Sequence, residues 1–371
     1  MHRLMRPNTT RILNIPLKAP LALKGGGKLD ALEVACETYG ALNPARDNAV
    51  LLCHPLSMDA HASNNDEPDI EPGWWNFFVG PGRAVDTRRY FVICTNMLGG
   101  CKGTTGPLSP RPGGGLYGTD FPAITVEDMV SVQRRALQEL GIGHLHAVIG
   151  GSLGGMQVLE WAVRYPDFVD KAVAIATGAH LSPQGLAFDI VGRLSIMNDP
   201  EWKQGRYAPE AELQMTGLQV ARMIGHITYI SRNMMDRKFG RELQNGSEGG
   251  TFATAFTVES FLRYQGEKFV KRFDPNSYLY LSRAMDLYDL TEGHEDIAAS
   301  LARSHCAFLV LSFSSDWLFP PESSLDIALA LARIGRHVNY VCIPSELGHD
   351  AFLVEEPDDP QSRLVGAFLR S

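Results

Sequence analysis

His146-Ala-Val-Ile-Gly-Gly-Ser152-Leu-Gly-Gly-Met-Gln-Val-Leu-Glu-Trp161 is the stretch that predicts the fold of this chain. An apolar run that suits a β-strand ends at Gly150, and apolar residues recur at helical spacing after Ser152. A strand, a tight turn and a helix in this order are typical of a turn that exposes a nucleophilic serine. The glycines remove Cβ atoms that would clash at so sharp a turn. An ordinary glycine-rich turn has the same pattern, so the motif alone leaves that alternative open.

Composition and charge limit the class of protein. The 371 residues are 44% hydrophobic and 20% charged, which is typical of a globular protein. The formal charge is −8 and Lys and Arg form no block, which argues against a nucleic-acid partner. The first residues have no apolar core of signal-peptide length, and no segment approaches the roughly 18 apolar residues of a membrane span. We therefore expect a cytoplasmic location and no membrane partner.

The six cysteines are scattered, without the C-x-x-C spacing of many metal and redox sites. Several of them fall inside strand-like runs. Buried, reduced thiols are a better interpretation than disulfides, a cysteine nucleophile or metal ligands. We therefore expect no metal site.

Strands alternate with helices on both sides of the serine turn. Residues 28–39 largely alternate apolar and polar side chains, which predicts a half-exposed strand near a sheet edge. A helix is predicted to begin after the N-cap Thr125 and to stop at Gly141. This rhythm predicts an α/β fold with a mostly parallel, doubly wound sheet. The other predicted strands are 48–53, 90–95, 171–176, 307–313 and 338–343, and the later helices are 322–334 and 360–369.

The alternation stops between residues 178 and 297. This region is predicted to contain several helices, of which Leu218 to Met235 is the clearest. It divides the chain into a core domain at 1–177 and 298–371 and a helical cap at 178–297. Open α/β sheets bind ligands at the carboxyl ends of their strands, so we expect the cap to cover that edge. The long Gly/Pro-rich connection at 96–118 is also predicted to be functional or mobile.

Two residues downstream of Ser152 suit a catalytic triad, in which a base needs an orienting carboxylate. Asp316 follows the strand at 307–313, and His349 follows the strand at 338–343. Both side chains could therefore meet the serine at the carboxyl edge of the sheet. The alternatives are a turn-capping role for Asp316 and an ordinary loop histidine at 349; further candidate histidines are His226, His294 and His305.

An oxyanion formed at the serine needs backbone N–H donors. The N–H of Leu153 is one predicted donor. Leu56, in the loop after the strand at 48–53, is the best candidate for the other. Pro55 cannot donate but precedes that donor.

At this point the chain resembles a known family, the MetX-type homoserine O-acyltransferases of the α/β-hydrolase superfamily. The resemblance runs from about residue 16 to the C-terminus, and the order Ser, Asp, His is the one that this superfamily uses. Taken together, its motifs are far more selective than the serine turn alone. They are Gly150–Gln157, Gly73-Trp-Trp with Gly80-Pro-Gly and Asp86-Thr, Tyr90–Cys94, Gly99–Pro107, Arg237–Arg241, Phe261–Gly266 and Gly348–Phe352.

The resemblance implies a two-step acyl transfer. Ser152 takes an acyl group from an acyl-CoA co-substrate, and the hydroxyl of an amino acid then attacks the acyl-serine; no cofactor is permanently bound. The family's substrate arginine and tyrosine fall on Arg222 and Tyr229, which lie seven residues apart and so share one helical face. Asp350 is the candidate for the substrate's ammonium group. A surface arginine paired with a neighbouring acid is the alternative for Arg222. The resemblance also favours a homodimer that associates through the cap.

The sequence departs from the family in two places. Met58 in His54-Pro-Leu-Ser-Met58 replaces the family's glycine, and residues 107–116 are unlike the common form. Either change could alter the pocket, so acetyl and succinyl donors and homoserine and serine acceptors all stay open. Acetyl transfer from acetyl-CoA to L-homoserine, in methionine biosynthesis, is the leading hypothesis. A carboxylesterase of the same fold and a non-catalytic binding protein are the rivals, and an esterase would need neither Arg222 nor Asp350.

Overall fold

The computed structural model describes residues 10–64, 71–208, 214–244, 256–356 and 358–371. Its strands are β1 (Arg11–Asn14), β2 (Leu21–Ala22), β3 (Lys28–Leu29), β4 (Glu33–Tyr39), β5 (Ala49–Cys53), β6 (Val79–Gly80), β7 (Val85–Asp86), β8 (Phe91–Thr95), β9 (Leu145–Gly151), β10 (Val169–Ile175), β11 (Ala307–Phe313) and β12 (Val338–Ile343). Its helices are α1 (Val126–Glu139), α2 (Leu153–Arg164), α3 (Pro183–Met197), α4 (Thr216–Tyr229), α5 (Arg232–Phe239), α6 (Thr257–Val270), α7 (Pro275–Leu287), α8 (Ile297–Leu301), α9 (Pro321–Arg333) and α10 (Pro360–Arg370).

Eight strands form the main sheet, in the order β1-β4-β8-β5-β9-β10-β11-β12. Strand β4 runs antiparallel to both of its neighbours, and every pair from β8 to β12 is parallel. The register pairs Gly151 with Ile175 and Ile175 with Leu311, so the carboxyl ends of β9, β10 and β11 are level. Buried side chains cover both faces of this sheet in two apolar clusters. The predicted mostly parallel, doubly covered sheet is confirmed.

Two of the predicted elements agree closely with the structure. Strand β5 is buried along its whole length, as its continuous apolar run predicts. At the start of α1, the Thr125 hydroxyl accepts a hydrogen bond from the N–H of Asp128, whose carboxylate accepts one from the Thr125 N–H. This reciprocal cap satisfies two of the free N–H groups of the first turn. Gly141, at φ +70°, follows the end of the helix as predicted.

The predicted strand at 28–39 is two strands. Lys28–Leu29 pairs with β2 in a separate small sheet, and only Glu33–Tyr39 joins the main sheet. The expected half-exposure was wrong, because five of the seven residues of β4 are buried between β1 and β8. The polar Glu37 is satisfied inside, where its carboxylate accepts hydrogen bonds from the hydroxyls of Thr10 (2.7 Å) and Tyr39 (2.9 Å). A buried polar residue whose hydrogen bonds are satisfied inside the protein gives the same sequence pattern as a polar residue that faces solvent.

The predicted helix from Leu218 to Met235 is also two helices. Helix α4 ends at Tyr229 and Ile230 is extended, after which the Ser231 hydroxyl caps α5 by accepting from the N–H of Met234. The serine supplies a local N-cap that the apolar spacing does not reveal. Helices α3 to α7 all lie between β10 and β11, where the cap is predicted. The domain boundaries at 178 and 297 stay a prediction.

The six cysteines are free thiols, and all but Cys342 are buried, as the sequence predicts for most of them. Within the described ranges no three or more His, Cys, Asp or Glu side chains are grouped as a metal site would require. Among the same residues, no helix has the length and apolar character needed to cross a membrane.

Candidate active site

Ser152 lies at the turn between β9 and α2. Its backbone has φ 58° and ψ −126°, a region that residues other than glycine rarely adopt, so the turn is strained. Two hydrogen bonds hold it: the Ser152 N–H donates to Ile175 O (3.0 Å), and the Thr177 hydroxyl donates to Ser152 O (2.9 Å). Such strain persists only where the surroundings enforce it, and it is typical of functional turns.

The glycines of the turn are required by close contacts. A Cβ atom at Gly154 would lie 2.1 Å from Cys53 O, and one at Gly150 would lie 2.4 Å from Gly154 O. Since real Cβ atoms do not approach backbone oxygens so closely, any other residue would push the turn apart. The same contacts show that the loop after β5 packs directly against the first turn of α2.

Asp316 and His349 form a hydrogen-bonded pair at the carboxyl edge of the sheet. The His349 Nδ1 atom lies 2.7 Å from Asp316 Oδ2, and both residues are 3% exposed. The other oxygen of Asp316 accepts the N–H groups of Leu318 and Phe319, each at 3.0 Å. These bonds fix the carboxylate, which in turn orients the imidazole.

The charge of Asp316 sets the basicity of His349. Burial lowers the pKa of His349, but the negative charge of Asp316 and its hydrogen bond raise the pKa by more, so the net shift is upward. Charge on Asp350 adds to the same effect. A raised pKa makes this imidazole a stronger base than an ordinary histidine.

The Ser152 hydroxyl makes no hydrogen bond with His349 among the residues that the structure describes. Free enzymes often hold this contact long or misaligned, and it shortens when substrate binds. Phe352 connects the two residues: its ring lies 5.5 Å from the ring of His349, and a Cβ atom at Gly151 would lie 2.5 Å from the ring atom Cε2. The serine turn and the histidine turn therefore pack on the same aromatic ring.

Leu56 and Leu153, the predicted oxyanion donors, both have free backbone N–H groups in the described part of the chain. Leu153 is the first residue of α2, where N–H groups have no partner within the helix. Leu56 lies in a turn closed by the Met58 N–H, which donates to Pro55 O at 3.1 Å. Both N–H groups belong to segments in contact through Cys53 and Gly154.

Arg222 and Tyr229 lie on one face of α4, which packs over the 3-10 turn Gly348–Leu353. The Arg222 guanidinium is 5.5 Å from the Tyr229 ring centre and donates to the Ser57 hydroxyl at 3.3 Å. The Tyr229 ring is in turn 5.9 Å from the ring of His349. Burial raises the pKa of Tyr229 to about 12, so it is a neutral phenol. The structure thus places Tyr229 beside the histidine and Arg222 beside Tyr229.

Asp350 follows His349 directly and feels the charge of Arg222. The pKa of Asp350 is raised on balance, because burial outweighs the opposing positive charges of Arg222 and His349. A guanidinium and a carboxylate in one pocket are complementary to a zwitterion, which carries one charge of each sign.

Sequence reasoning missed a second arginine in this pocket. Arg272 Nη1 donates to Ser57 O at 2.8 Å, and its guanidinium lies 5.0 Å from the ring of Phe269, which Arg222 also contacts at 4.8 Å. Burial and the charge of Arg222 lower the pKa of Arg272 to about 10. Burial, together with the positive charges of Arg222 and Arg272, lowers the pKa of His226 to about 3. No local signal distinguishes Arg272 from other arginines near the end of a helix.

Trp75, in the Gly73-Trp-Trp motif, supports the histidine turn from below. Its Nε1 donates to Phe352 O at 2.7 Å, and its ring meets that of Phe352 edge-on. The side chain is fully buried. A pair of tryptophans in a polar loop was the available sign that this loop is anchored.

Comparison with known proteins first defines the class. A sequence model of the alpha/beta hydrolase fold family matches residues 48–356. Homoserine O-acetyltransferase from Bacillus anthracis superposes with a TM-score of 0.89 at 28% identity, covering 98% of each chain. Esterase E22 superposes with a TM-score of 0.87 at 28% identity, covering 97% of this chain and 99% of its own. The protein is therefore an α/β-hydrolase-fold enzyme, as predicted.

Closer relatives define the family. A homoserine O-acetyltransferase of Methanohalobium evestigatum is 50% identical over 348 residues, which are 93% of this chain and 70% of the relative. A homoserine O-succinyltransferase of Halothiobacillus neapolitanus is 50% identical over 357 residues, which are 95% and 87%. The chain belongs to the MetX-type homoserine O-acyltransferase family, and it is an acyltransferase. The predicted family membership is confirmed.

Proposed function

We propose that this enzyme transfers an acetyl group from acetyl-CoA to the hydroxyl of L-homoserine through an acyl-serine, a step of methionine biosynthesis. The observation that carries the proposal is the hydrogen-bonded Asp316–His349 pair, which shares the Phe352 ring with the strained Ser152 turn and lies beside Tyr229, the neighbour of Arg222. A nucleophile with its base supports acyl transfer. The oppositely charged Arg222 and Asp350 support an amino-acid acceptor.

In the first half-reaction, His349 accepts the Ser152 proton as Oγ attacks the thioester carbonyl. The N–H groups of Leu56 and Leu153 stabilise the oxyanion of the tetrahedral intermediate. The carbon–sulfur bond then breaks, and the thiolate leaves with the proton from His349. The acetyl group stays on Ser152, and free CoA is the first product.

In the second half-reaction, L-homoserine binds with its carboxylate on Arg222 and its ammonium group near Asp350. His349 takes the proton of the homoserine hydroxyl, whose oxygen attacks the acyl-serine. The second tetrahedral intermediate collapses, Ser152 regains the proton and O-acetylhomoserine leaves. Holding the acceptor at high effective concentration is what favours transfer over hydrolysis by water.

Two acyl donors are compatible with the comparisons. Homoserine O-acetyltransferases of Methanohalobium evestigatum, Methanocorpusculum labreanum and Mesorhizobium japonicum and a homoserine O-succinyltransferase of Halothiobacillus neapolitanus are all 48–50% identical to this chain. Acetyl-CoA is therefore the first choice, and transfer of succinyl from succinyl-CoA to homoserine or serine is the second. Met58 and the loop at 107–116 are the differences that bear on this choice.

Hydrolysis of esters is a second candidate function, because esterase E22 has the same architecture. An esterase would use Ser152, Asp316 and His349 in the same way, with water as the acceptor. The pocket charges argue for transfer, since hydrolysis needs neither Arg222 nor Asp350.

An assay with two donors and two acceptors tests the proposal. The protein is mixed with acetyl-CoA or succinyl-CoA, alone and with L-homoserine or L-serine, and free CoA and O-acylated product are followed. We expect L-homoserine with acetyl-CoA to give the fastest CoA release and a matching amount of O-acetylhomoserine. CoA release that neither acceptor accelerates with either donor would reject the transferase.

We also infer a homodimer formed through the helical cap at 178–297, which is called the insert below. Helix α3 exposes four large apolar side chains, each at least 43% exposed: Ile190, Val191, Leu194 and Met197. A contiguous apolar surface of this kind is typical of a protein interface. Sedimentation equilibrium of the protein and of Val191→Glu tests the assembly, with a monomer expected only for the variant. A cytoplasmic location stays a prediction.

A further inference from the structure

His54 bridges two backbone groups underneath the loop that contains Leu56. The side chain is 1% exposed and directly follows β5. Its Nε2 lies 3.0 Å from the N–H of Met97, and its Nδ1 lies 2.9 Å from the carbonyl oxygen of Pro55. No step of the acyl transfer described above uses this imidazole.

The Asn96 side chain is a third neighbour that hydrogen-bonds the ring, and the contact with the Met97 N–H decides the tautomer of His54. A backbone N–H can only donate, so the N–H of Met97 must donate to an Nε2 atom that carries no proton. The proton of the neutral ring is then on Nδ1, which donates to Pro55 O. Burial lowers the pKa of His54, which agrees with a neutral ring.

The Pro55 carbonyl and the Leu56 N–H belong to one planar peptide group. In a trans peptide these two bonds point in opposite directions, so fixing the carbonyl also fixes the N–H. The Met58 N–H donates to the same carbonyl oxygen at 3.1 Å. The loop also contacts the serine turn, because a Cβ atom at Gly154 would lie 3.2 Å from His54 O.

We propose that His54 is a positioning residue whose Nδ1–H holds the Pro55 carbonyl so that the Leu56 N–H faces the oxyanion beside Ser152. The proposal rests on the acyl-serine of the proposed function but not on the identity of donor or acceptor. An oxyanion donor acts only if it is aimed before the charge develops. His54 supplies that orientation from a position that is closed to solvent.

Two matched variants separate the two contacts of His54. The Asn amide is attached at Cγ, as Nδ1 is, so His54→Asn retains a donor for Pro55 O and loses the acceptor for Met97. The Gln amide reaches one atom further, so His54→Gln retains the acceptor for Met97 and loses the donor. Both substitutions remove the ring, which makes each the control for the other's packing loss.

The readout is the rate of acylation of Ser152 by p-nitrophenyl acetate, measured as the burst of p-nitrophenol. We expect His54→Gln to lower the maximal acylation rate about 10²-fold, the usual loss for one oxyanion donor, with little change in apparent KM. His54→Asn should stay within about tenfold of the parent, the cost left after one of two contacts is kept. Urea unfolding of both variants measures how much stability each contact contributes.

Equal acylation rates in the two variants, or a larger loss in His54→Asn, would overturn the proposal and leave a packing role. Should either variant fail to fold, the 15N resonances of histidine in the parent protein decide: the proposal requires a neutral His54 with its proton on Nδ1, and a proton on Nε2 contradicts it. The activated ester needs neither acyl-CoA nor homoserine. Failure of homoserine to stimulate CoA release would therefore reject the proposed function without affecting this comparison.

Discussion

The carboxyl edge of the sheet and the helical insert contribute different halves of the site. At the sheet edge, Ser152, Asp316 and His349 lie in the turns after β9, β11 and β12, all three are buried, and Asp316 is hydrogen-bonded to His349. In the insert, Arg222 reaches the site only because α4 packs over the histidine turn. We therefore propose that the sheet edge carries out the acylation chemistry and that the insert selects the acceptor.

The two regions also differ in how charge is compensated. At the sheet edge, the carboxylate of Asp316 is paired with His349, whose Nδ1 lies 2.7 Å from Asp316 Oδ2. In the insert, burial and the nearby charge of Arg222 together lower the pKa of Arg272 to about 10. Two neighbouring guanidinium groups are unfavourable unless an anion joins them, so this pocket is suited to a carboxylate.

Loss of the sheet-edge chemistry should have the largest effect. We expect Ser152→Ala to lower acyl transfer by at least about 10⁴-fold, and Asp316→Asn by about 10⁴-fold, because the nucleophile is lost in one and the base is misoriented in the other. Steady-state CoA release with and without acceptor measures both. The control is Ser131→Ala, a partly buried serine of α1 whose hydroxyl donates to Glu127 O of the same helix, which should behave like the parent. Activity of Ser152→Ala close to that of the parent would exclude this serine as the nucleophile.

Loss of Arg222 should affect only the transfer of the acyl group to the acceptor. We expect Arg222→Ala to lower kcat/KM for L-homoserine about 10²- to 10³-fold, because a buried charged contact to the carboxylate is lost. Hydrolysis of acyl-CoA in the absence of acceptor should change little. Arg263→Ala, which removes an exposed arginine paired with Glu259 on α6, is the control. A parallel loss with and without acceptor would place Arg222 in the acylation chemistry and break the division between the regions.

Asp350 connects the regions through the pKa of His349. The base must be neutral to accept a proton, so acylation rises as the pH rises through this pKa. The negative charge of Asp350 raises the pKa of His349, so Asp350→Asn should move the acidic limb of the pH profile to lower pH. The profile is measured with p-nitrophenyl acetate, which needs no acceptor. An unmoved limb, or one displaced to higher pH, would contradict this electrostatic link.

The N-cap residue of α1, Thr125, belongs to neither region and should affect stability alone. We expect Thr125→Ala to lower the free energy of unfolding by about 1 kcal/mol, because the first turn of α1 loses its hydroxyl acceptor. Urea unfolding measures this change. Acylation and transfer rates should both equal those of the parent, and a change in either would show that α1 influences the site.

The sheet edge could be predicted from sequence because its residues are specified locally. The glycines around Ser152 and the strands before Asp316 and His349 are visible in the sequence itself. The insert was less predictable: the arginine and tyrosine of α4 came from family resemblance, and the helix break at Ile230 depends on the Ser231 cap. The roles assigned to all of these residues stay predictions until they are tested.

Arg272 and His54 show why the rest could not be predicted. Arg272 is significant only because folding brings it to the Ser57 carbonyl, 215 positions away in the chain. The tautomer of His54 depends on the N–H of Met97, which is 43 positions away. Contacts of this range carry no local pattern, so only the tertiary structure reveals them.

The covalent acyl-enzyme is the most direct test of the central claim. Intact-protein mass spectrometry is carried out after mixing with acetyl-CoA without acceptor, and again after adding L-homoserine. The account predicts one acetyl adduct on Ser152, discharged by L-homoserine much faster than by water, with one O-acetylhomoserine formed for each adduct lost. The absence of an adduct with either acetyl-CoA or succinyl-CoA, or an adduct that L-homoserine does not discharge, would contradict it.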